Sequence, residues 1–280
     1  MSVAIGSYDR RDSVDSGTAG ASGVVRRERV RMRQVRFAAD GQIQRGVSVE
    51  DDTVLLGNRG KAYRPEDVVF LPPVEPTKVI GLALNFADHA EELGLGEPPE
   101  PALFFKPLTS LIGHRSAVIA PPNIEYMHYE AELGVVIGRS ARKVKAADAM
   151  DYVLGYTMAN DVTVRDFVHD MFRPPVKAKG FDTFGPMGPY LVTDEIDDPH
   201  NLGLRTYVNN ELRQEGHTSL LVRNIPALIE YITEFMTLEP QDVILTGTPK
   251  GLSHIYPGDV VRVEVDGLGK LENTIVADEE

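Results

Sequence analysis

The chain contains no cysteine. That excludes a disulfide framework, a thiolate nucleophile and any thiolate-held metal, and it fits a reducing compartment such as the cytoplasm. Positive charge is scarce: 29 Lys and Arg against 42 Asp and Glu give a net charge of −13. A surface that acidic repels nucleic acid and anionic membranes, so neither is expected as a partner. An anionic ligand therefore needs a local basic pocket. No apolar run reaches the length of a membrane-spanning helix. No charged segment leads into an apolar core in the manner of a signal peptide. The chain has no Gly-x-Gly-x-x-Gly pattern, no P-loop and no internal repeat.

What is present is an ordinary globular composition: 280 residues, 42% hydrophobic and 25% charged. That is enough for one large core or two smaller ones. Residues 1–32 are rich in Ser, Gly, Asp and Arg and lack apolar periodicity, so they read as a flexible leader. Residues 33–75 read as a small β-rich domain. Its signal is a hairpin with Asp40-Gly41 between Arg33–Phe37 and Gln42–Val47. Pro72, Pro73 and Pro76 then mark a linker to a second domain, 76–280.

The second domain shows many short strands, among them Lys78–Leu84, Ala102–Lys106, Asp242–Gly247 and Val260–Val265. Helices are few. A short one is expected over Phe86–Leu93, capped by Asn85 and ended by Gly94, with a helical turn at Ala147–Tyr152. An amphipathic helix is expected over Ile225–Phe235. Strands that do not alternate with helices argue against a Rossmann fold or a TIM barrel and for an α+β class.

The chemistry centres on Tyr129-Glu130-Ala131-Glu132-Leu133, which opens an alternating run. In a strand, Glu130 and Glu132 share a face, and two adjacent carboxylates repel unless a cation lies between them. Asp161 ends another apolar run, Tyr152–Asn160. Three carboxylates without Cys or His suit Mg²⁺ or Mn²⁺ better than Zn²⁺. The spacing alone equally fits the solvated face of a half-exposed sheet. His89 and Glu92, three apart on the short helix, are a base with its orienting carboxylate or a surface ion pair. The Gly- and Pro-rich stretch after that helix would let it act as a lid. Lys177 and Lys179 would share a face in a strand, which also fits a solvated basic strand. Thr246–Gly251 is a turn that can cradle a carboxylate or serve as a plain Gly/Pro turn. Arg165 and Arg173, with Gly247 and Thr248, are the candidate contacts for an anionic substrate. His128 reads as structural rather than a metal ligand.

In chain order, Asn85-Phe86-Ala87-Asp88-His89, Tyr129-Glu130-Ala131-Glu132-Leu133, Asn160-Asp161, Lys179-x-x-Asp182 and Thr246-Gly247-Thr248-Pro249 resemble the fumarylacetoacetate hydrolase superfamily. The resemblance runs from about Lys78 to the C-terminus. The stretches Asp161–Asp166, Phe172–Pro174, Phe235–Leu238 and Thr246–Ser253 are closest to the isomerase branch of the homoprotocatechuate pathway. Two departures stand out. Proteins of that branch often carry two fused halves, and this chain carries one. Gly180–Pro186 is more similar to general family members.

The resemblance implies a mixed β-sheet roll with short helices behind the small N-terminal domain, usually as a homodimer. It implies Mg²⁺ held by Glu130, Glu132 and Asp161, with Lys179 beside the metal and His89 with Glu92 on a lid. The expected activity is isomerisation of a small anionic 2-oxo acid of the hydroxymuconate type, such as 2-hydroxyhepta-2,4-diene-1,7-dioate or 5-carboxymethyl-2-hydroxymuconate, in aromatic catabolism. The alternatives are a C–C hydrolase of fumarylacetoacetate or another acylpyruvate, and a 2-oxo acid decarboxylase or dehydratase. A non-catalytic metal-binding domain comes last.

Overall fold

The computed structural model describes residues 33–49, 51–92, 94, 98–168 and 175–278. The leader expected over 1–32 and the candidate contact Arg173 lie outside them. In chain order the N-terminal strands are β1 (Arg33–Ala39), β2 (Gln42–Val49), β3 (Val54–Leu56), β4 (Ala62–Tyr63) and β5 (Val69–Leu71). Then follow β6 (Val79–Ala83), helix α1 (Ala87–Glu92), β7 (Ala102–Lys106), β8 (Leu111–Ile112), β9 (Val118–Ala120), β10 (Met127–His128), β11 (Ala131–Ile137), β12 (Val153–Asn160) and β13 (Thr163–Val164). The chain closes with α2 (Val176–Lys179), β14 (Gly185–Pro186), β15 (Tyr190–Leu191), β16 (Gly203–Val208), β17 (Glu211–His217), α3 (Ile225–Phe235), β18 (Val243–Leu245), β19 (Val260–Val265) and β20 (Gly269–Ala277). The class is α+β, and no helix among the described residues is long and apolar enough to cross a membrane.

Asp40 and Gly41 both adopt left-handed backbone angles, φ 53° and 70°, which lets β1 and β2 pair tightly from Ala39↔Gln42 onward. The N-terminal sheet is not closed by its own residues: β15 pairs with β1 through Gln34↔Leu191 and Val35↔Tyr190. Its apolar side chains Val35, Phe37, Leu55 and Phe70 join the same core as Leu133, Leu204, Ile229 and Val263. Helix α3 lays Ile225, Leu228, Ile229 and Ile232 into that core. Asn224 caps it by accepting from the Ala227 N–H at 3.0 Å.

The sheet that carries the site has the order β12-β11-β18-β6-β7. β18 and β6 run parallel and the other neighbours antiparallel. β11 is therefore an interior strand, and every one of its residues is buried. A strand covered on both faces has no solvated side. The half-exposed-sheet reading of Glu130 and Glu132 is thereby excluded.

Two local expectations are corrected. Asn85 does not cap α1. Its side-chain amide donates to the carbonyls of Thr246 (2.9 Å) and Arg223 (3.1 Å), and its oxygen accepts from the Arg223 N–H (3.0 Å). It ties the start of α1 to the end of β18 instead. Lys177 and Lys179 lie on one helical turn, α2, not on a strand. A strand would have put both on one face. The turn sends Lys177 over the Phe167 ring, 3.9 Å from its centre, and buries Lys179. Gly94 does end α1: it is left-handed at φ 65° and its N–H reaches the Glu91 carbonyl at 3.0 Å.

One glycine ties the sheet to the site. Gly81 on β6 faces Phe104 on β7, and a Cβ there would come within 2.2 Å of the Phe104 ring. That ring lies 4.8 Å from the Lys179 ammonium. Gly81→Ala is expected to destabilise the fold by ~1–3 kcal/mol through overpacking, measured by denaturant unfolding. An unchanged unfolding midpoint would mean that the Phe104 ring has room to move.

Candidate metal centre and active site

Glu132 sits on β11 and Asp161 follows directly on β12. The ladder between these strands continues one step past their ends, where the Asp161 N–H donates to the Glu130 carbonyl at 2.9 Å. The Asn160 side chain accepts from the Glu130 N–H at 3.0 Å. These bonds place Glu130, Glu132 and Asp161 around one point. One carboxylate oxygen of each lies within 4.8 Å of the others, and all three residues are buried.

Two lysines face this cluster. The Lys179 ammonium donates to Glu130 Oε2 (2.9 Å), Asp161 Oδ2 (2.6 Å) and Thr163 Oγ1 (2.8 Å). The Lys106 ammonium, at the end of β7, donates to Asp161 Oδ1 (2.5 Å) and to the Lys179 carbonyl (2.7 Å). Sequence reasoning passed over Lys106. Its signal was the period of β7: Phe104 and Lys106 alternate inward past the exposed Phe105.

The environments of these groups differ. Burial acts against the Glu130 charge, yet Lys179, His128 and His89 hold its pKa down at about 2. Glu132 is pushed well above the carboxylate range by burial, then by the Asp161 and Glu130 charges. Burial also acts against the Lys179 charge, but Asp161 and Glu130 outweigh it and hold the ammonium above its ordinary value. Burial lowers the Lys106 pKa by more than its pairing with Asp161 raises it.

The residues fit a hard divalent cation. The ligand set is all oxygen. Glu132 Oε2 accepts from the Gly247 N–H at 2.6 Å, whereas Oε1 is buried with no hydrogen-bond partner among the described residues. A bare buried carboxylate oxygen is costly unless a cation meets it. With Glu132 ionised, three carboxylates against two ammonium groups leave one negative charge for a cation to match, and without a cation the same imbalance favours a protonated Glu132.

The remaining candidates fall around this cluster. His89 is buried, its Nδ1 lies 3.1 Å from Glu92 Oε2, and its charge is felt by Glu130. The surface-ion-pair reading fits poorly, since the imidazole is enclosed. Glu92 Oε1 accepts from the Gly251 N–H at 3.0 Å. The Thr246–Gly251 turn thus cradles two carboxylates of the protein itself, Glu132 at Gly247 and Glu92 at Gly251. Thr248 Oγ1 accepts from Gln214 Nε2 at 2.9 Å. His128 is buried and its Nδ1–H points at the Tyr129 carbonyl, 3.2 Å away. Burial lowers its pKa to about 4, so the ring is neutral. Arg165 is half-buried beside this group.

Residues 78–276 match the family described as fumarylacetoacetate (FAA) hydrolase C-terminal, and the chain belongs to it. Over 212 residues it is 51% identical to a 4-hydroxyphenylacetate degradation bifunctional isomerase/decarboxylase of Salmonella dublin, covering 75% of this chain. The match covers 49% of that protein, so the chain spans about half the length of this curated relative. Among solved structures, a 5-carboxymethyl-2-hydroxymuconate delta-isomerase from Mycobacterium smegmatis superposes with a TM-score of 0.80 at 40% identity, over 89% of this chain and 100% of that one. A fumarylacetoacetate hydrolase from Exiguobacterium antarcticum gives 0.77 at 31% identity, over 88% of this chain and 100% of that one.

The raised pKa of Glu132 has a signed consequence for stability. A protonated Glu132 favours the native state below the ordinary carboxylate pKa of 4.5, and that contribution is lost as pH rises through the raised value. In EDTA, Glu132→Gln is therefore expected to melt higher than the parent chain by a margin that grows with pH. Excess Mg²⁺ should raise the melting temperature of the parent chain alone. A margin independent of pH in thermal scans would show that Glu132 is not held protonated in the metal-free protein.

Proposed function

We propose that the chain is a Mg²⁺-dependent isomerase of a hydroxymuconate-type diacid. The observation that carries this reading is the buried Glu130/Glu132/Asp161 cluster, in which one Glu132 oxygen has no partner among the described residues. The named isomerase relatives support the outcome. When bound, Mg²⁺ supplies Lewis-acid polarisation of a 2-oxo acid carbonyl, which eases loss of a proton from the next carbon. Glu130, Glu132 and Asp161 are the residues that would hold it.

The protein's own groups then divide the work. Glu92 holds His89 through Nδ1, and Nε2 is the ring position that would take a proton from one carbon and return it to another. Lys179 is fixed by three acceptors, so its ammonium is an oriented positive charge at the edge of the cluster. Lys106 anchors Asp161 from the far side. An isomerisation of this kind consumes no water and loses no carbon. That sets it apart from the hydrolase reading, which the likeness to a fumarylacetoacetate hydrolase keeps in view, and from decarboxylation. The reading includes a cytoplasmic homodimer acting on a small anionic acid.

The test is incubation of the Mg²⁺-loaded protein with 2-hydroxydienoate diacids and acylpyruvates, read by ultraviolet absorbance and product mass. The expected product keeps the substrate's mass, and EDTA stops its formation without unfolding the chain. Addition of water with chain cleavage, or loss of carbon dioxide, would overturn the isomerase assignment.

Single substitutions separate the roles. His89→Ala should lower turnover by ~10²–10⁴-fold. Lys179→Ala should lower turnover far more than it lowers Mg²⁺ affinity measured by calorimetry. A fully active His89→Ala protein would return the His89/Glu92 pair to a structural role.

A further inference from the structure

Away from the carboxylate cluster, a cavity of about 770 Å³ opens where the N-terminal sheet meets the rest of the fold. That volume falls in the range of small-molecule sites. The N-terminal residues Asp51, Pro65 and Phe70 line it together with His114, Arg115 and Lys270. None of Glu130, Glu132, Asp161, His89 or Lys179 does.

The segment Gly113–Ser116 presents two of these groups and is firmly held. The buried Asn273 amide donates to the carbonyls of Gly113 (2.9 Å) and Ser116 (2.8 Å). The Arg115 N–H donates to the Glu272 carbonyl at 2.7 Å. Gly113 is required here, because a Cβ would come within 2.2 Å of the Phe70 carbonyl oxygen. His114 is only 6% exposed. Its Nδ1 accepts from the Glu272 N–H at 3.0 Å, so the neutral ring carries its proton on Nε2. That donor has no partner among the described residues, and the ring lines the cavity. Burial, then the Arg115 and Lys270 charges, lower the His114 pKa to about 4, so the ring donates without charge. Phe70 meets the imidazole edge-on at 5.0 Å, and the Arg115 guanidinium lies over the same ring, 5.9 Å from its centre. The guanidinium is oriented by one bond, to the Pro65 carbonyl at 3.0 Å.

The carboxylates around the cavity do not neutralise these donors. Asp52 is held by Arg33 at 2.8 Å, Glu264 by Arg262 at 2.8 Å, and Glu66 lies 3.5 Å from Arg64. Asp51 is exposed to solvent. Arg115 and Lys270 make no ion pair among the described residues.

We propose that this seam binds a small carboxylate with a flat apolar body, its oxygens on His114 Nε2, Arg115 and Lys270. The site is separate from the metal centre and does not depend on the isomerase reading. A planar guanidinium beside a ring N–H matches the paired oxygens of a carboxylate. In a chain with net charge −13, two unpaired cations on one cavity mark where an anion is attracted. Pro65, Pro189 and Tyr190 supply flat walls for the body of the ligand. Such a ligand touches both the N-terminal sheet and the later strands, so its binding favours their docked arrangement.

The experiment is calorimetry on the Mg²⁺-loaded full chain with benzoate as the probe. Benzamide, which keeps the ring and lacks the charge, is the control, and hydrogen exchange locates the binding. Benzoate should bind with a Kd on the order of 1 mM or tighter, and benzamide roughly tenfold more weakly. Benzoate should also slow exchange at residues 113–116. Arg115 and Lys270 are exposed, so Arg115→Gln and Lys270→Gln should keep the parent melting temperature without benzoate. Each should weaken benzoate roughly tenfold and leave benzamide unchanged. No saturable benzoate binding, or equal binding of benzoate and benzamide, overturns the proposal. So does benzoate binding that survives both substitutions and protects residues 130–132 in place of 113–116.

Discussion

The rest of the structure depends on the mutual repulsion of Glu130, Glu132 and Asp161, three carboxylates enclosed around one point. Such a cluster is unfavourable in a protein interior unless each oxygen meets a donor or a cation. The chain answers with Lys179 on Glu130 and Asp161, Lys106 on Asp161, and the Gly247 N–H on Glu132. The answer is incomplete, since Glu132 Oε1 has no partner among the described residues. That remaining demand is what makes the cluster fit a hard cation.

The fold is arranged to hold this balance. β11 must be an interior strand, or water would screen the cluster and weaken its hold on a cation. Its partner β12 sets Asp161 one ladder step from Glu130. The two lysines come from the end of β7 and from the turn α2, segments far apart in sequence. Lys106 also donates to the Lys179 carbonyl, so the two supports brace one another. Asn85 and Glu92 tie α1, and His89 with it, to the turn after β18. The N-terminal sheet, completed by Tyr190–Leu191, shares the main core rather than standing apart.

Much of the carboxylate cluster was legible in the sequence because its signal is local. Alternation along Glu130–Ile137 and a carboxylate ending the Tyr152–Asn160 run need only the two-residue period of a strand. Helix α3 was legible because its apolar stripe is likewise a local signal. The misreadings have physical causes. α2 is a single turn after two prolines, too short for a helical period to show, and Lys-Ala-Lys alternation looks like a strand. Asn85 had the spacing of a helix cap, but Thr246 and Arg223, distant in sequence, claim its amide. Lys106 was missed because its partner Asp161 lies 55 residues away.

The central claim is that this cluster binds one divalent cation with positions open to a 2-oxo acid. Water-proton relaxation of the Mn²⁺-loaded chain tests it most directly. The account predicts one Mn²⁺ per chain with strongly enhanced relaxation, which falls when oxalate, a two-oxygen mimic of the 2-oxo acid head, displaces the bound waters. Absence of tight Mn²⁺ binding, or relaxation unaffected by oxalate, would contradict it.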